Sequence, residues 1–131
     1  MMTITGQVQA GVGDFNKRMT SNDDVFYRAT NVKLVPGTIN IKVDTEIPIK
    51  EDFRIFGKDI GEPEQDLLFE KCLANGIDAF RIRPCNLHTG KGGHGDNVIE
   101  VFSQHLIPNV QVGAIVKITF FRDDIVSGIA R

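Results

Sequence analysis

A segment typical of a β-strand, with an unusually polar face, is the first candidate site in the sequence. In Gly37–Asp44, successive side chains of an extended chain point to opposite sides, so Thr38, Asn40, Lys42 and Asp44 share one face at spacings of about 6 to 7 Å. The hydroxyl and amide oxygens of Thr38 and Asn40 suit Mg²⁺, which prefers oxygen ligands and commonly shares its shell with substrate phosphates and water. The ammonium group of Lys42 would balance phosphate charge. A solvated strand face explains the same alternation without any ligand.

Two glycine-containing segments suggest close approach of backbone N–H groups to a phosphate. Gly11-Val12-Gly13-Asp14 follows the first predicted strand, and glycine lacks the Cβ that would hold a ligand away. An ordinary turn explains this segment equally well, because the three-glycine fingerprint of dinucleotide-binding proteins is absent. Gly90-Lys91-Gly92-Gly93 lacks the residue order of a P-loop, and we therefore exclude a P-loop.

The histidines and cysteines do not form a recognisable metal or disulfide pattern. His88, His94 and His105 lack the i, i+4 spacing of a helical metal site, so we expect them in surface loops. Cys72 and Cys85 are too few for a disulfide framework and lack zinc-site spacing, so we expect free thiols.

Composition predicts one ordinary water-soluble domain spanning residues 1–131. Hydrophobic residues make up 41% and charged residues 24% of the chain, as in typical globular domains. The net charge of -2 and the pI of about 5.9 provide no basic field for nucleic acid, and nothing in the composition requires a membrane. No basic and then apolar leader is visible at Met1, so we expect a cytoplasmic protein. Composition does not define the oligomeric state.

Apolar alternation with a period of two predicts an all-β or mostly β fold, either a sandwich or a small barrel. The predicted strands are Thr3–Gln9, Gly37–Asp44, Ala79–Ile82, Val98–Phe102 and Ala114–Phe121. In the second of these strands, Ile39, Ile41 and Val43 form the predicted buried face. The polar segments Asn16–Asp24 and Leu87–Asn97 are predicted to be surface loops that close over a ligand.

The segment Pro63–Gly76 has two interpretations. Pro63 at a first turn, apolar residues at helical spacing and Asn75-Gly76 at the end all fit a short helix. Asn-Gly is also a strong hairpin signal, and Leu67–Leu73 would then pair with Ile77–Arg83. We favour the hairpin.

Three segments of the chain, taken together, form a joint pattern. They are Gly6-Gln7-Val8-Gln9-Ala10-Gly11-Val12-Gly13, then Pro36-Gly37-Thr38-Ile39-Asn40-Ile41-Lys42-Val43-Asp44, and then His94 ahead of Val98-Ile99-Glu100-Val101. This pattern resembles the archaeal-type CTP-dependent riboflavin kinases, which carry G-x-V-x-x-G-x-G, P-x-x-G-T-L-N-L-K-x-D, and a His before an I-I-E-I-like strand. The resemblance spans most of the chain and implies a six-stranded cradle-loop barrel.

The resemblance also implies an activity and a set of site residues. The activity is transfer of the γ-phosphoryl group of CTP to the 5′-hydroxyl of riboflavin, giving FMN and CDP. Thr38 and Asn40 match the family's Mg²⁺ ligands, and Glu100 matches a flavin contact. The nucleotide-binding loop matches Gly11, Val12, Gly13, Asp14 and Phe15. Either Glu100 or Asp44 would orient or deprotonate the accepting hydroxyl.

The chain departs from the family pattern at positions that contact nucleotide and flavin. Asp14-Phe15 follows Gly13 where the family has Glu-Gly, and Gly92 stands where a Thr precedes the His by two residues. The segment Ser103–Ile107 has no arginine, unlike the family's A-P-x-x-L-R. A non-catalytic barrel that binds a flavin, a nucleotide or a partner protein is therefore the second hypothesis. A DNA-binding relative is a third, and the acidic pI argues against it.

Overall fold

Antiparallel strands make up most of the regular structure. The computed structural model describes residues 1–11, 15–35, 38–89 and 95–123. The strands in these ranges are β1 Met2–Gln9, β2 Ile39–Lys42, β3 Phe53–Ile55, β4 Gln65–Ala74, β5 Ile77–Asn86, β6 Val98–Phe102 and β7 Ile115–Phe120. The helices are α1 Phe15–Ser21, α2 Asp23–Thr30 and a single 3₁₀ turn, Gly57–Ile60. No helix among these is long and apolar enough to cross a membrane.

Six of the strands close into a barrel. Their order is β4-β5-β6-β2-β1-β7, all neighbours are antiparallel, and β7 returns to pair with the C-terminal part of β4. The short strand β3 pairs with the N-terminal part of β4, on the edge that β7 leaves open. Closure leaves few exposed strand edges, so few backbone groups remain that could pair with a strand of another chain. The all-β barrel predicted from the sequence is confirmed.

The hairpin interpretation of the segment after Pro63 is confirmed. Strands β4 and β5 pair along their full length, from Gln65 opposite Asn86 to Ala74 opposite Ile77. The two turn residues have left-handed backbones, with φ of 49° at Asn75 and 80° at Gly76, as a two-residue hairpin turn requires. The Asn75 side chain accepts a hydrogen bond from the Lys117 N–H at 3.0 Å, which ties the turn to β7.

The other predicted strands are present, with shifts at their ends. β6 has the predicted bounds, β1 begins one residue earlier, β5 is longer at both ends, and β7 is one residue shorter at each end. β2 is shorter than Gly37–Asp44, because the backbone bends at Asp44 and Thr45, and Gly37 lies outside the described residues. The predicted buried face of β2 is confirmed by Ile41 and Val43, which are 0% and 4% exposed.

The prediction of a surface loop at Asn16–Asp24 is wrong. This segment forms α1 and the start of α2. The segment is mostly polar, but it contains Met19, which is 3% exposed, and α2 continues to Phe26, which is 2% exposed; both side chains pack against the barrel. These helices form a layer on the barrel, and the predicted closure of this segment over a ligand stays a prediction. In the second proposed lid, Leu87–Asn97, residues 90–94 lie outside the described residues, and its role stays a prediction.

The closed barrel and the helices define two hydrophobic clusters. The first fills the barrel interior and includes Ile41, Ile99 and Phe120. The second lies between the outer face of the sheet and the helices, where Phe26 meets Phe69 edge-on with ring centroids 6.2 Å apart. Strand β3 contributes Phe53, which stacks on Phe69 at 4.7 Å. The sheet is therefore buried on both faces where α1 and α2 cover it.

We expect Phe26→Ala to lower the free energy of unfolding by about 3–5 kcal/mol, because truncation leaves a cavity between α2 and the sheet. The neighbouring Tyr27 is 51% exposed, so Tyr27→Ala is the matched control and should cost about 0.5 kcal/mol or less. Urea denaturation measures both values. Equal effects of the two substitutions would contradict the helical layer described above.

Candidate functional site

Three of the predicted site residues lie together on the outer face of the barrel. Asn40 on β2 is directly opposite Glu100 on β6, and directly opposed residues of antiparallel strands project to the same side. Thr38, two residues before Asn40, projects to that side as well, and its Oγ1 donates a hydrogen bond to Oε2 of Glu100 at 3.2 Å. We call Thr38, Asn40 and Glu100 the oxygen cluster. All three are partly buried.

The backbone of Gly11 borders the oxygen cluster. Gln9 on β1 pairs with Asn40, so the chain that leaves β1 passes directly over this part of β2. A Cβ built on Gly11 would lie 2.6 Å from Nδ2 of Asn40, closer than a real side chain allows. The lack of a side chain at Gly11 therefore makes room for the Asn40 amide. The predicted nucleotide-binding loop begins at this point of the cluster.

Of the remaining residues of the predicted nucleotide-binding loop, the structure describes only the last. Val12, Gly13 and Asp14 lie outside the described residues, so their roles stay predictions. Phe15 is the first residue of α1. The predicted loop thus begins beside the oxygen cluster, at Gly11, and ends at the first residue of α1.

The two candidate catalytic carboxylates are in different places. Glu100 belongs to the oxygen cluster. Asp44 lies beyond the end of β2, is exposed, and forms no ion pair or side-chain hydrogen bond with any described residue. Four residues of extended chain span about 13 Å, which separates Asp44 from Asn40 by more than direct contact distance. The structure groups Glu100, and not Asp44, with Thr38 and Asn40.

The donor set of the oxygen cluster fits Mg²⁺. It presents a hydroxyl, an amide carbonyl and a carboxylate, which are hard oxygen ligands, with only one full negative charge. The Asn40 amide is partly buried and has no hydrogen-bond partner in the side chains and backbone that the structure describes. Within the same residues there is no group of three or more His, Cys, Asp or Glu side chains of the kind that holds a transition metal.

An apolar cleft of about 220 Å³ adjoins the oxygen cluster. Thr38 lines the cleft, and Val35, Phe102, Leu106 and Val110 are among the apolar residues that line it as well. Asn40 and Glu100 are not part of the lining, so the cleft meets the cluster at Thr38. Pockets that combine apolar walls with a few polar groups are typical of small-molecule sites.

Of the described histidines, His105 lies near the oxygen cluster, because it lines the apolar cleft that adjoins Thr38. His88 and His105 are exposed in loops, as expected, and His94 lies outside the described residues. Cys72 and Cys85 are free thiols. Burial raises the pKa of the Cys72 thiol to about 12, so it is protonated and unreactive at neutral pH.

A buried ionic cluster inside the barrel was missed by the sequence analysis. Glu70 on β4 is directly opposite Arg81 on β5, and both are 1% exposed. Oε2 of Glu70 lies 3.1 Å from Nε of Arg122, and Oε1 accepts the Lys50 N–H at 3.0 Å. The guanidinium groups of Arg81 and Arg122 both lie over the Phe120 ring, at 5.9 and 5.2 Å from its centroid.

The pKa shifts in this ionic cluster follow from burial. Burial lowers the pKa of Arg81 to about 10, which leaves it protonated at neutral pH. Burial also raises the pKa of Glu70, while the Lys50 N–H and Arg122 act in the opposite direction. The pairing of Glu70 with Arg81 in the hairpin register was the signal in the sequence that could have revealed this cluster.

No protein-family model matches the chain, and a search of curated proteins finds no matching sequence. Its function is therefore inferred from the residues and their geometry.

We expect an alkylating reagent to modify Cys85 in the native protein and to leave Cys72 unmodified at neutral pH. Cys85 is partly exposed, whereas Cys72 is 1% exposed and its pKa is raised to about 12. Mass spectrometry after brief treatment with iodoacetamide measures the labelling of each residue. In urea both residues should react, which is the control. Rapid labelling of Cys72 in the folded state would contradict the barrel packing.

Proposed function

We propose that the chain is a Mg²⁺-dependent phosphotransferase that transfers the γ-phosphoryl group of CTP to the 5′-hydroxyl of riboflavin. The observation that carries this proposal is the oxygen cluster: Thr38 is hydrogen-bonded to Glu100, and Asn40 lies directly opposite Glu100. The sequence resemblance names Thr38 and Asn40 as metal ligands and Glu100 as a flavin contact. The geometry supports it by grouping these three residues beside an apolar cleft.

Phosphoryl transfer suits such a site, because positioning and electrostatic stabilisation supply most of the rate enhancement. Mg²⁺ held by Thr38 and Asn40 would neutralise charge on the nucleotide phosphates. The backbone N–H of Gly11 would approach those phosphates, since Gly11 has no Cβ to hold them away. The apolar cleft would hold the flavin ring, with the ribityl chain directed past Thr38.

Glu100 is the proposed general base. The 5′-oxygen of riboflavin forms a bond to the γ-phosphorus, the bond from that phosphorus to the bridging oxygen breaks, and CDP leaves with the electron pair. The proton of the hydroxyl passes to the Glu100 carboxylate. The hydrogen bond donated by Thr38 orients the carboxylate for this step.

A second candidate function is a non-catalytic barrel that binds a flavin, a nucleotide or a partner protein through the same surface. The sequence Ser103–Ile107 favours it, because this segment contains no arginine to contact a nucleotide. Incubation with riboflavin, Mg²⁺ and each of the four nucleoside triphosphates, followed by chromatography for FMN, discriminates the two functions. The second function would be established if no FMN formed with any of the four donors and riboflavin fluorescence were quenched when the chain was added.

We expect Asn40→Ala to abolish FMN formation and to leave the urea denaturation midpoint close to that of the unaltered chain. The amide makes no hydrogen bond with the described residues, so its loss should remove activity and leave the stability of the fold unchanged. Thr38→Val should also inactivate, whereas Thr38→Ser keeps the hydroxyl and should retain activity. Thr45→Ala, at an exposed residue beyond β2, is the control. Full turnover by Asn40→Ala would refute the metal assignment.

We expect Gly11→Ala to lower FMN formation by about tenfold to a hundredfold with little loss of stability. The added Cβ would overlap Nδ2 of Asn40, and this amide can rotate away at small cost while losing its position. Ala10→Ser enlarges the neighbouring exposed residue and is the control. Unchanged turnover in Gly11→Ala, or activity loss that only follows unfolding, would contradict the proposed role of Gly11.

A further inference from the structure

A second recess, of about 270 Å³, lies on the outer face of the β4–β5 hairpin. We call it the aromatic recess. The lining residues that matter to its chemistry are Val32, Lys71, Asp78, Phe80, Gln104 and Phe121. None of the oxygen cluster residues belongs to the lining, so the aromatic recess is separate from the proposed phosphotransferase site.

The walls of the aromatic recess are suited to a planar ring. Phe80 projects from the sheet, Val32 follows the end of α2, and Phe121 follows the end of β7. Phe121 is 49% exposed, so part of its surface is accessible for contact. Aromatic side chains favour offset-stacked or edge-on contact with another ring, and apolar walls exclude water from it.

Two opposite charges lie at the edge of the aromatic recess. Lys71 is directly opposite Phe80, and Asp78 is two residues before Phe80, so all three project from the same face of the hairpin. Lys71 and Asp78 are diagonal cross-strand neighbours, which places their Cβ atoms within about 7–8 Å. Among the described residues, neither charged group has an ion-pair or hydrogen-bond partner. Both are exposed and available to a ligand.

The recess is equipped for binding and not for covalent chemistry. Its one thiol, that of Cys72, is buried, and the burial that raises its pKa to about 12 keeps the thiol protonated. The remaining polar group, the Gln104 amide, is a hydrogen-bonding group.

We propose that the aromatic recess is a reversible binding site for an aromatic α-amino acid. The ring would contact Phe80 and Phe121, the carboxylate would meet Lys71, and the ammonium group would meet Asp78. Charge complementarity selects this class of ligand, because a simple aromatic hydrocarbon would leave both charged groups without a partner. The proposal does not depend on the phosphotransferase function.

The test uses the full chain and takes advantage of its composition. The chain contains no tryptophan and one tyrosine, so excitation at the long-wavelength edge of indole absorption, where tyrosine does not absorb, reports binding of added L-tryptophan without background from the protein. Titration of L-tryptophan with the chain should give a saturable change in indole emission, with a dissociation constant on the order of 0.1–1 mM. Tryptamine lacks the carboxylate and indole-3-propionate lacks the ammonium group, so both should bind more weakly.

Variants assign each charge to its partner. Lys71→Ala should weaken L-tryptophan and indole-3-propionate by about threefold and leave tryptamine unchanged, since it removes one exposed ion pair. Asp78→Ala should weaken L-tryptophan and tryptamine and leave indole-3-propionate unchanged. Phe121→Ala should weaken all three ligands. Lys117→Ala, at an exposed lysine outside the aromatic recess, is the control.

The result that would overturn the proposal is equally specific. If indole emission shows no saturable change, the site is excluded. Equal effects of Lys71→Ala and Asp78→Ala on all three ligands would exclude the charge assignment and with it the amino acid. Urea denaturation of each variant verifies folding, which should be unaffected because these side chains are exposed.

Discussion

The register of β2 between β1 and β6 is the constraint on which the candidate site depends. It places Asn40 opposite both Gln9 and Glu100, and it places Ile41 opposite Val8 and Ile99 in the barrel interior. A shift of one residue would bury the amide and expose the isoleucines, since side chains alternate between the two faces. The interior packing therefore fixes the orientation of the oxygen cluster. Residues that bury apolar surface and residues that would bind a ligand are interleaved on the same four-residue strand.

This interleaving explains why part of the molecule could be predicted from the sequence. Alternation identified the buried face of β2, and the Asn75-Gly76 pair identified the hairpin because its left-handed backbone suits few other residues. Asn40 and Glu100 could be placed on strands but not opposite each other, because register depends on contacts between distant segments. The resemblance grouped Glu100 with the site, and the pairing of β2 with β6 supplies the physical reason.

The helices and the buried faces of β5 depend on tertiary packing, which the alternation of apolar residues does not reveal. Met19 and Phe26 belong to short helices that become stable only when their apolar side chains pack on Phe69 and its neighbours. Arg81 alternates with Phe80 and Ile82, a pattern typical of a strand with one solvated face, yet Arg81 lies inside the barrel and Ile82 under the helices. Both faces of this strand are buried, so polarity alone did not indicate which face is solvated.

The position of the oxygen cluster also bears on how a small barrel could catalyse phosphoryl transfer. Reaction rate depends on holding few groups to within fractions of an ångström, and this requires rigid support. Asn40 and Glu100 lie on adjacent strands of a closed barrel, where Ile41 and Ile99 beside them are fully buried. Thr38 lies just outside β2 and borders the apolar cleft, so the strand and the proposed substrate surface are within two residues of each other. The same barrel closure that stabilises the fold thus supplies the rigidity that a site built mainly on positioning requires.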